Sequence, residues 1–281
     1  MERMFAQPFI AQLGKGHIDG VYSFAKDPRT LSRVASGSGD GEVKLWDLAD
    51  RKEVMNVKAH DGIVKALAFT SVMGDRRLLS CASDKTVKMW DPDADNSRNV
   101  PVETYFGNGA FNGITHHRTD RTFATASSVV DIWDWTRQKP VTTLQWGAET
   151  VTTVKFNQIE TSILASAGTD RTLIMYDLRT GLPLTKLITK LRTNQISWNP
   201  MEAFNFAAAN EDHNVYIFDM RKMDRALNVL KDHVAAVMDV DFSPTGEEVV
   251  TGSYDRTVRI FKAREGHSRF VIPTSRKLTP G

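Results

Sequence analysis

An aromatic residue followed by aspartate recurs along this chain at Trp46-Asp47, Trp90-Asp91, Trp133-Asp134, Tyr176-Asp177 and Phe218-Asp219, and a sixth aromatic stands at Phe261 with Lys262 in place of the acid. The spacings are 44, 43, 43, 42 and 43 residues. Repeats of this length mark arrays in which one supersecondary unit is copied and each copy covers its neighbour's apolar face. Inside each unit the same order returns: small residues, then an aspartate, then an alternating run into the aromatic. The first unit reads Ser36-Gly37-Ser38-Gly39-Asp40-Gly41, then Val43, Leu45 and Trp46. Asp84, Asp170, Asp212 and Asp255 hold the same place in later units. A turn residue followed by period-two alternation predicts a β-hairpin, and no segment keeps a helical period over three turns. An all-β chain of short strands is therefore expected. The third unit departs from the pattern, because Ala126-Ser127-Ser128-Val129-Val130-Asp131 lacks the turn aspartate and its hairpin must differ.

A histidine stands 28 to 30 residues before the aromatic at His17, His60 and His233, and Gly266-His267 reads as the opening of a further unit. Together these residues resemble the WD-repeat family of β-propellers, whose pattern is Gly-His followed by Trp-Asp. The resemblance implies a buried hydrogen-bonded tetrad of histidine, turn aspartate, strand serine and tryptophan. Its members here would be His60, Asp84, Ser80 and Trp90, with His17, Asp40, Ser36 and Trp46 as a second set. A buried Asp–His pair is costly unless every group is satisfied, so such a network selects one geometry. Six recognisable repeats give an expected propeller domain over 1–264 and an atypical basic C-terminal segment over 265–281. Phe9 to Leu13 could supply the outer strand of a closing blade, whereas Ser268 to Gly281 are too few for three strands and their turns. The expected architecture is an incomplete seven-bladed ring with uncovered flanks on blades one and six, the alternative being a six-bladed ring.

Composition excludes several classes. The single cysteine, Cys81, rules out an intrachain disulfide and suits a reducing compartment, and it reads as a small buried hydrophobe. No apolar run approaches the ~18 residues of a membrane span. Met1 to Leu13 carries no apolar core of a secretory signal. Net charge is +2, but Thr251 to Gly281 carries +5 and the rest −3; the basic end either faces nucleic acid or is a solvated terminus. Gly37-x-Gly39-x-Gly41 would need a following helix to hold a phosphate, and Val43 to Trp46 reads as strand. His116-His117 has no further metal ligands close by in sequence. Histidine, aspartate and serine recur in register with the repeat, whereas a catalytic triad occurs once. The expectation is a binding platform with no catalytic residue, cofactor, metal, small-molecule substrate or membrane association.

Fold alone does not give function, so the residues outside the repeat pattern carry it. Asn199-Pro200-Met201-Glu202-Ala203-Phe204, Ala208-Ala209-Asn210-Glu211-Asp212, Val130-Asp131-Ile132-Trp133-Asp134, Trp146-Gly147 and Asp239-Val240-Asp241-Phe242-Ser243-Pro244-Thr245-Gly246 are distinctive. They are similar to the Sof-type WD-repeat family of the U3 small nucleolar ribonucleoprotein, named in animals as a cullin-associated factor. The match runs from about Arg3 to Phe261; the family's further repeat and basic tail are not matched after Arg264, and the chain starts later than the family does. The resemblance implies a nuclear, nucleolar scaffold subunit of the small-subunit processome, acting in 18S rRNA maturation and ribosome biogenesis with pre-ribosomal and U3 proteins and RNA as partners. The alternative it carries is a substrate receptor of a cullin-RING ubiquitin ligase. Two consecutive units end in aromatic-Asp-x-Arg, Tyr176-Asp177-Leu178-Arg179 and Phe218-Asp219-Met220-Arg221. In cullin-associated WD proteins that motif marks docking to the ligase adaptor, which assigns Asp177, Arg179, Asp219 and Arg221 as adaptor contacts. Otherwise each arginine bridges neighbouring loops.

Overall fold

The computed structural model describes residues 3–4, 13, 16–70, 72, 75–93, 100–146 and 150–274. Each repeat supplies one sheet of four strands paired in sequence order. The first sheet is Val21–Lys26, Arg33–Ser38, Glu42–Asp47 and Lys52–Lys58. The second is Val64–Phe69, Leu78–Ala82, Thr86–Trp90 and Glu103–Phe106. The third is Gly113–His116, Thr122–Ala126, Val130–Asp134 and Thr142–Leu144. The fourth is Val151–Phe156, Ile163–Gly168, Thr172–Asp177 and Leu182–Ile188. The fifth is Thr193–Trp198, Asn205–Asn210, Val215–Asp219 and Asn228–Leu230. The sixth is Val237–Phe242, Glu248–Ser253, Thr257–Lys262 and Ser268–Pro273, with Arg3–Met4 added in parallel to its last strand. No helix occurs among the described residues. This is the WD-repeat β-propeller architecture, with six blades.

Two compact units are present. The first is Ile10–Phe156; the second is Asn157–Gly281 with the N-terminal strand Arg3–Met4. In the first five sheets the middle strands are largely covered on both faces, so consecutive residues are apolar or small, whereas in the sixth Glu248–Ser253 and Thr257–Lys262 stay mostly half-buried. Ile163–Gly168 and Thr172–Asp177 are buried at every position, whereas the outer strand Leu182–Ile188 alternates exposed and half-buried. In the first unit, Val43 and Leu45 pack with Leu67, Phe69 and Leu78, and Met89 and Tyr105 pack with Phe123 and Trp133. In the second, Leu173 and Met175 pack with Trp198 and Phe206, and Val215 and Ile217 pack with Phe242 and Phe261. Each such side chain contributes about 1.5–3 kcal/mol by leaving water, so the contacts between successive sheets carry most of the stability.

The structure departs from the sequence reading at the C-terminal end. Ser268–Pro273, set aside as the start of a further unit, pairs with Thr257–Lys262 as the fourth strand of the sixth sheet. The boundary expected at 264/265 therefore falls inside that sheet. Phe270 and Ile272 supply the alternation that Arg269 and the following basic residues obscured. Positions 9–12 of the strand expected over Phe9 to Leu13, and residues 275–281 of the basic segment, lie outside the described residues. In the third sheet the hairpin lacking an aspartate is closed by serine: Ser127 N donates to Val129 O at 2.9 Å, and Val129 N donates to Ser127 Oγ at 3.4 Å. Cys81 is fully buried in Leu78–Ala82, and burial pushes its thiol up to about 12.

One regularity escaped the sequence reading. A polar residue follows the first strand of every sheet at Asp27, Thr70, His117, Asn157, Asn199 and Ser243. Asn157 Oδ1 accepts Ile159 N at 2.9 Å while its Nδ2 donates to Ala203 O at 2.6 Å. Asn199 does the same with Met201 N and Gly246 O. These two asparagines cap their own loops and tie them to the next sheet, whereas Thr70 and Ser243 bond within their own loops. In the third sheet His117 takes this place, its Nδ1 accepting Asp120 N at 3.0 Å.

Its neighbour His116 is buried, its ring 5.7 Å from that of Trp135, and neither ring nitrogen has a hydrogen-bond partner. Burial holds its pKa down at about 4. Because the folded value is depressed, the stability is complete above the unfolded value of about 6.5 and is lost as pH falls toward the folded value, on the order of 3 kcal/mol at most. The substitution His116→Phe should flatten the fall in melting temperature between neutral pH and pH ~4. Parallel loss of stability in the variant and the parent across that window would disprove the assignment.

Candidate functional site

The second sheet assembles a complete tetrad. His60 sits in the loop before the first strand, Ser80 on the second, Asp84 in the turn and Trp90 at the end of the third. Ser80 Oγ accepts Trp90 Nε1–H at 2.9 Å and lies 2.7 Å from His60 Nε2; His60 Nδ1 is 2.9 Å from Asp84 Oδ2. Burial lowers the His60 pKa. The neutral imidazole then donates from Nδ1 to Asp84 and accepts the Ser80 hydroxyl at Nε2. Burial pushes Asp84 up, but hydrogen bonds from Thr86 and the His60 ring outweigh it and hold the carboxyl below its ordinary value. Thr86 donates to Asp84 Oδ1 through its amide at 3.0 Å and its hydroxyl at 2.7 Å.

The first sheet brings together three of its four members. Ser36 Oγ accepts Trp46 Nε1–H at 2.8 Å and meets His17 Nε2 at 2.7 Å, but His17 Nδ1 stays 3.8 Å from Asp40 Oδ2 and has no hydrogen-bond partner. The expected His17–Asp40 link is therefore open. Glu42 stands where Thr86 stands in the second sheet and offers Asp40 only its amide, at 2.8 Å, while the Ile18 amide takes Asp40 Oδ2 at 3.3 Å. His17, Asp40 and Glu42 also offer ligand atoms within 4.8 Å of one another. Lys44 already supplies positive charge there, with Nζ 3.8 Å from Glu42 and 3.2 Å from Glu53, so these residues do not suit a metal ion. In the glycine triplet, Gly41 has φ +80 and a Cβ there would lie 2.1 Å from His60 O; these glycines permit close packing.

The sixth sheet holds a set that was not read as one from the sequence. His233 Nδ1 is 2.7 Å from Asp255 Oδ2, and Nε2 is 2.7 Å from Thr251 Oγ1. Phe261 has no ring N–H to add. Spacing alone could have found this set, since His233, Thr251 and Asp255 stand in register with His60, Ser80 and Asp84; threonine in place of serine concealed it.

At the other end of the sheets, the aspartate after each aromatic closes the turn into the fourth strand by accepting the amide two residues on. In the second unit that residue is arginine twice. Arg179 N donates to Asp177 Oδ1 at 2.9 Å, and the guanidinium reaches the same carboxylate at 3.3 Å through Nε and Nη2. Arg221 repeats this more tightly, with Nη2 2.7 Å from Asp219 Oδ2, and lies 4.3 Å from the centre of the Phe204 ring. The arginines are 73% and 61% exposed while their aspartates are 10% and 15% exposed. Each aspartate thus holds a planar fork outward with donors to spare, and Arg221 also covers Phe204 on the loop before Asn205–Asn210. Sequence reading missed Arg264, which occupies the same position in the sixth sheet. Lys262 replaces the aspartate there, so Arg264 reaches Glu202 at 3.4 Å instead. Both line a groove of about 750 Å³ between the fifth and sixth sheets, with Leu227 and Phe242 among its apolar walls.

Asp84→Ala strands a buried imidazole N–H and should cost about 2–4 kcal/mol. Asp40→Ala, at the open link, should cost about 1 kcal/mol or less. Denaturant melts of the two variants test the contrast, and equal losses would show that the open and closed networks contribute alike.

The chain matches the family model of the NUP159/214 beta propeller over residues 133–281 and that of the WD domain, G-beta repeat, over residues 9–47 and 51–91. It is 49% identical to Protein SOF1 of Saccharomyces cerevisiae, across 98% of this chain and 61% of that protein. It is 57% identical to Protein sof1 of Schizosaccharomyces pombe, across 88% of this chain and 55% of that protein. Identity to DDB1- and CUL4-associated factor 13 of Xenopus tropicalis is 48%, across 98% of this chain and 62% of that protein. The chain thus spans about three-fifths of the length of the curated relatives it matches. Repeat spacing, blade architecture and these likenesses agree that the chain belongs to the WD-repeat β-propellers and, among them, to the Sof1-type family.

Proposed function

We propose that this chain is a non-catalytic scaffold subunit of the small-subunit processome, the U3 small nucleolar ribonucleoprotein, acting in 18S rRNA maturation in the nucleolus. The observation that carries the reading is the 49% identity to Protein SOF1 across nearly the whole chain. The chemistry agrees with it. Among the described residues, the histidine–aspartate–hydroxyl groups are spent on holding turns, with the imidazoles of His17, His60 and His233 buried and their pKa values lowered. A buried, hydrogen-bonded imidazole has no path to a substrate. The exposed loop ends of the sheets are left as the working surfaces.

A second reading is supported by the relatives named DDB1- and CUL4-associated factor 13 and by the Asp177–Arg179 and Asp219–Arg221 forks. In this reading the two guanidiniums insert into an adaptor such as the DDB1 named in those relatives, and the propeller presents substrate. The two readings are compatible, since one concerns the turn end of the fourth and fifth sheets and the other the particle as a whole.

Affinity purification of the tagged chain, with sequencing of the recovered RNA, tests the first reading: U3 RNA and pre-rRNA should be enriched, and their absence overturns it. For the second, Arg179→Ala with Arg221→Ala should lower adaptor recovery about tenfold, as expected of exposed arginine anchors. Folding stability should move by no more than ~0.5 kcal/mol, because exposed pairs contribute little. Undiminished adaptor recovery would remove the ligase reading.

A further inference from the structure

The outermost strand of the fourth sheet, Leu182–Ile188, pairs on one side only, with Thr172–Asp177. Thr189 N donates to Arg171 O at 2.9 Å, which sets the phase of this ladder. Thr185 and Leu187 turn their amides and carbonyls toward their partners Met175 and Leu173, and in an antiparallel pair the residues between point theirs the other way. The backbone groups of Lys186 and Ile188 therefore lie open at the edge of the sheet. The side chains alternate with the same period. Thr185 and Leu187 are half-buried, and Leu187 packs on the core shared with the fifth sheet. Leu182, Leu184 and Ile188 are 56%, 50% and 65% exposed, with the exposed Lys186 among them. An open edge lined by aliphatic side chains is a ready template for another strand.

The other sheets guard their edges. The outermost strand of the first exposes Lys52, Asn56 and Lys58, and charged or polar side chains oppose edge pairing. The second, third and fifth sheets end in strands of only four, three and three residues. The sixth is covered, because Arg3–Met4 lies in parallel against Phe270 and Val271 of its last strand. One sheet of this chain thus already takes a fifth strand at the position that stays open in the fourth.

Charge selects the strand that fits. From Leu178 to Met201 the chain holds Arg179, Lys186, Lys190 and Arg192 and no acid. Asp177 holds Arg179, and Glu211 holds Arg192. Lys186 and Lys190 are exposed at the same alternate positions as Leu184 and Ile188, and neither forms an ion pair among the described residues. Two copies of this edge laid together would set lysines against lysines, which disfavours self-pairing. We propose that Leu182–Ile188 receives, as a fifth strand, an extended segment of another protein in which apolar and acidic residues take turns at every second position. The backbone of that segment bonds the open groups of Lys186 and Ile188, its apolar side chains cover Leu184 and Ile188, and its carboxylates meet Lys186 and Lys190. The inference goes beyond the scaffold and ligase readings, since it needs neither RNA nor adaptor and uses neither arginine fork.

The test titrates a capped peptide of sequence VTETVTE into the full isotope-labelled chain and follows amide hydrogen exchange by NMR. Exchange at Lys186 and Ile188 should slow as peptide is added, while Thr185 and Leu187, already bonded to the neighbouring strand, should not change. The peptide VTKTVTK should bind about tenfold more weakly, because like charges on facing strands repel where opposite ones attract. Lys186→Glu with Lys190→Glu should invert that order. Leu184→Thr with Ile188→Thr should weaken binding while the melting temperature holds, since both side chains are exposed. Three results would each overturn the proposal: glutamate and lysine peptides that bind alike, unchanged exchange at Lys186 and Ile188, or slowed exchange there that follows protein concentration without peptide, which would give the edge to a second copy.

Discussion

The carboxylate of a turn aspartate, accepting the backbone amide two residues ahead, is the interaction on which the rest of this structure depends. Asp84 takes Thr86 N, Asp170 takes Thr172 N and Asp255 takes Thr257 N. The bond wraps the chain around the intervening residue and leaves it in the left-handed region. Asp84 and Asp255 spend their second oxygen on a histidine from the preceding loop, which joins the turn to the loop and to the strand hydroxyl. Three pieces of chain distant in sequence are thus held at hydrogen-bond precision inside one blade, and in these two sheets the histidine and aspartate are both satisfied, the condition under which buried polar groups specify one conformation.

The same device works at the opposite end with a different result. Asp134, Asp177 and Asp219 accept the amides of Thr136, Arg179 and Arg221. Here the residue two positions on is the one presented. Where it is arginine, its guanidinium closes on the carboxylate that already holds its amide. One Asx-type turn therefore displays the middle residue at one end of a sheet and the last residue at the other. Binding surfaces can change by substitution at those positions without disturbing the strands, which is how a single architecture serves many partners.

The blades are not equal copies. The network is complete in the second sheet and open at one edge in the first. It lacks the indole in the sixth, and in the third it is reduced to Trp133 Nε1–H donating to Thr125 Oγ1 at 2.9 Å. The fourth sheet substitutes a hydrogen bond from Ser166 to Tyr176, and the fifth one from Tyr216 to Asp212. The fold tolerates this because apolar burial joins successive sheets within each unit, the first to the third in one and the fourth to the sixth in the other, while the polar networks settle which turn geometry each blade adopts. Variation in the networks therefore alters the loops more than the core.

Much of this was legible in the sequence, because strand periodicity and turn chemistry are local. The six aromatics set the repeat length, the aspartates marked the turns, and Cys81 among apolar neighbours read as core. Local pattern also placed Arg179 and Arg221 after their strands. What only the tertiary structure decided are matters of distance between segments far apart in the chain. His17 and Asp40 keep the family spacing, yet their link stays open because Glu42 offers no hydroxyl. Arg264 is concealed by Lys262, and its partner Glu202 lies in another sheet. Ser268–Pro273 became a strand only when Thr257–Lys262 was there to pair with it. His116 looked like half of a polar pair until packing enclosed it without a partner. Sequence by itself determined the kind of blade and the residues at its turns, since both follow from bonds within a few residues. Which polar groups meet, and which are left exposed, was decided by packing between strands, since a hydrogen bond made or missed by an ångström depends on every side chain that sets the separation.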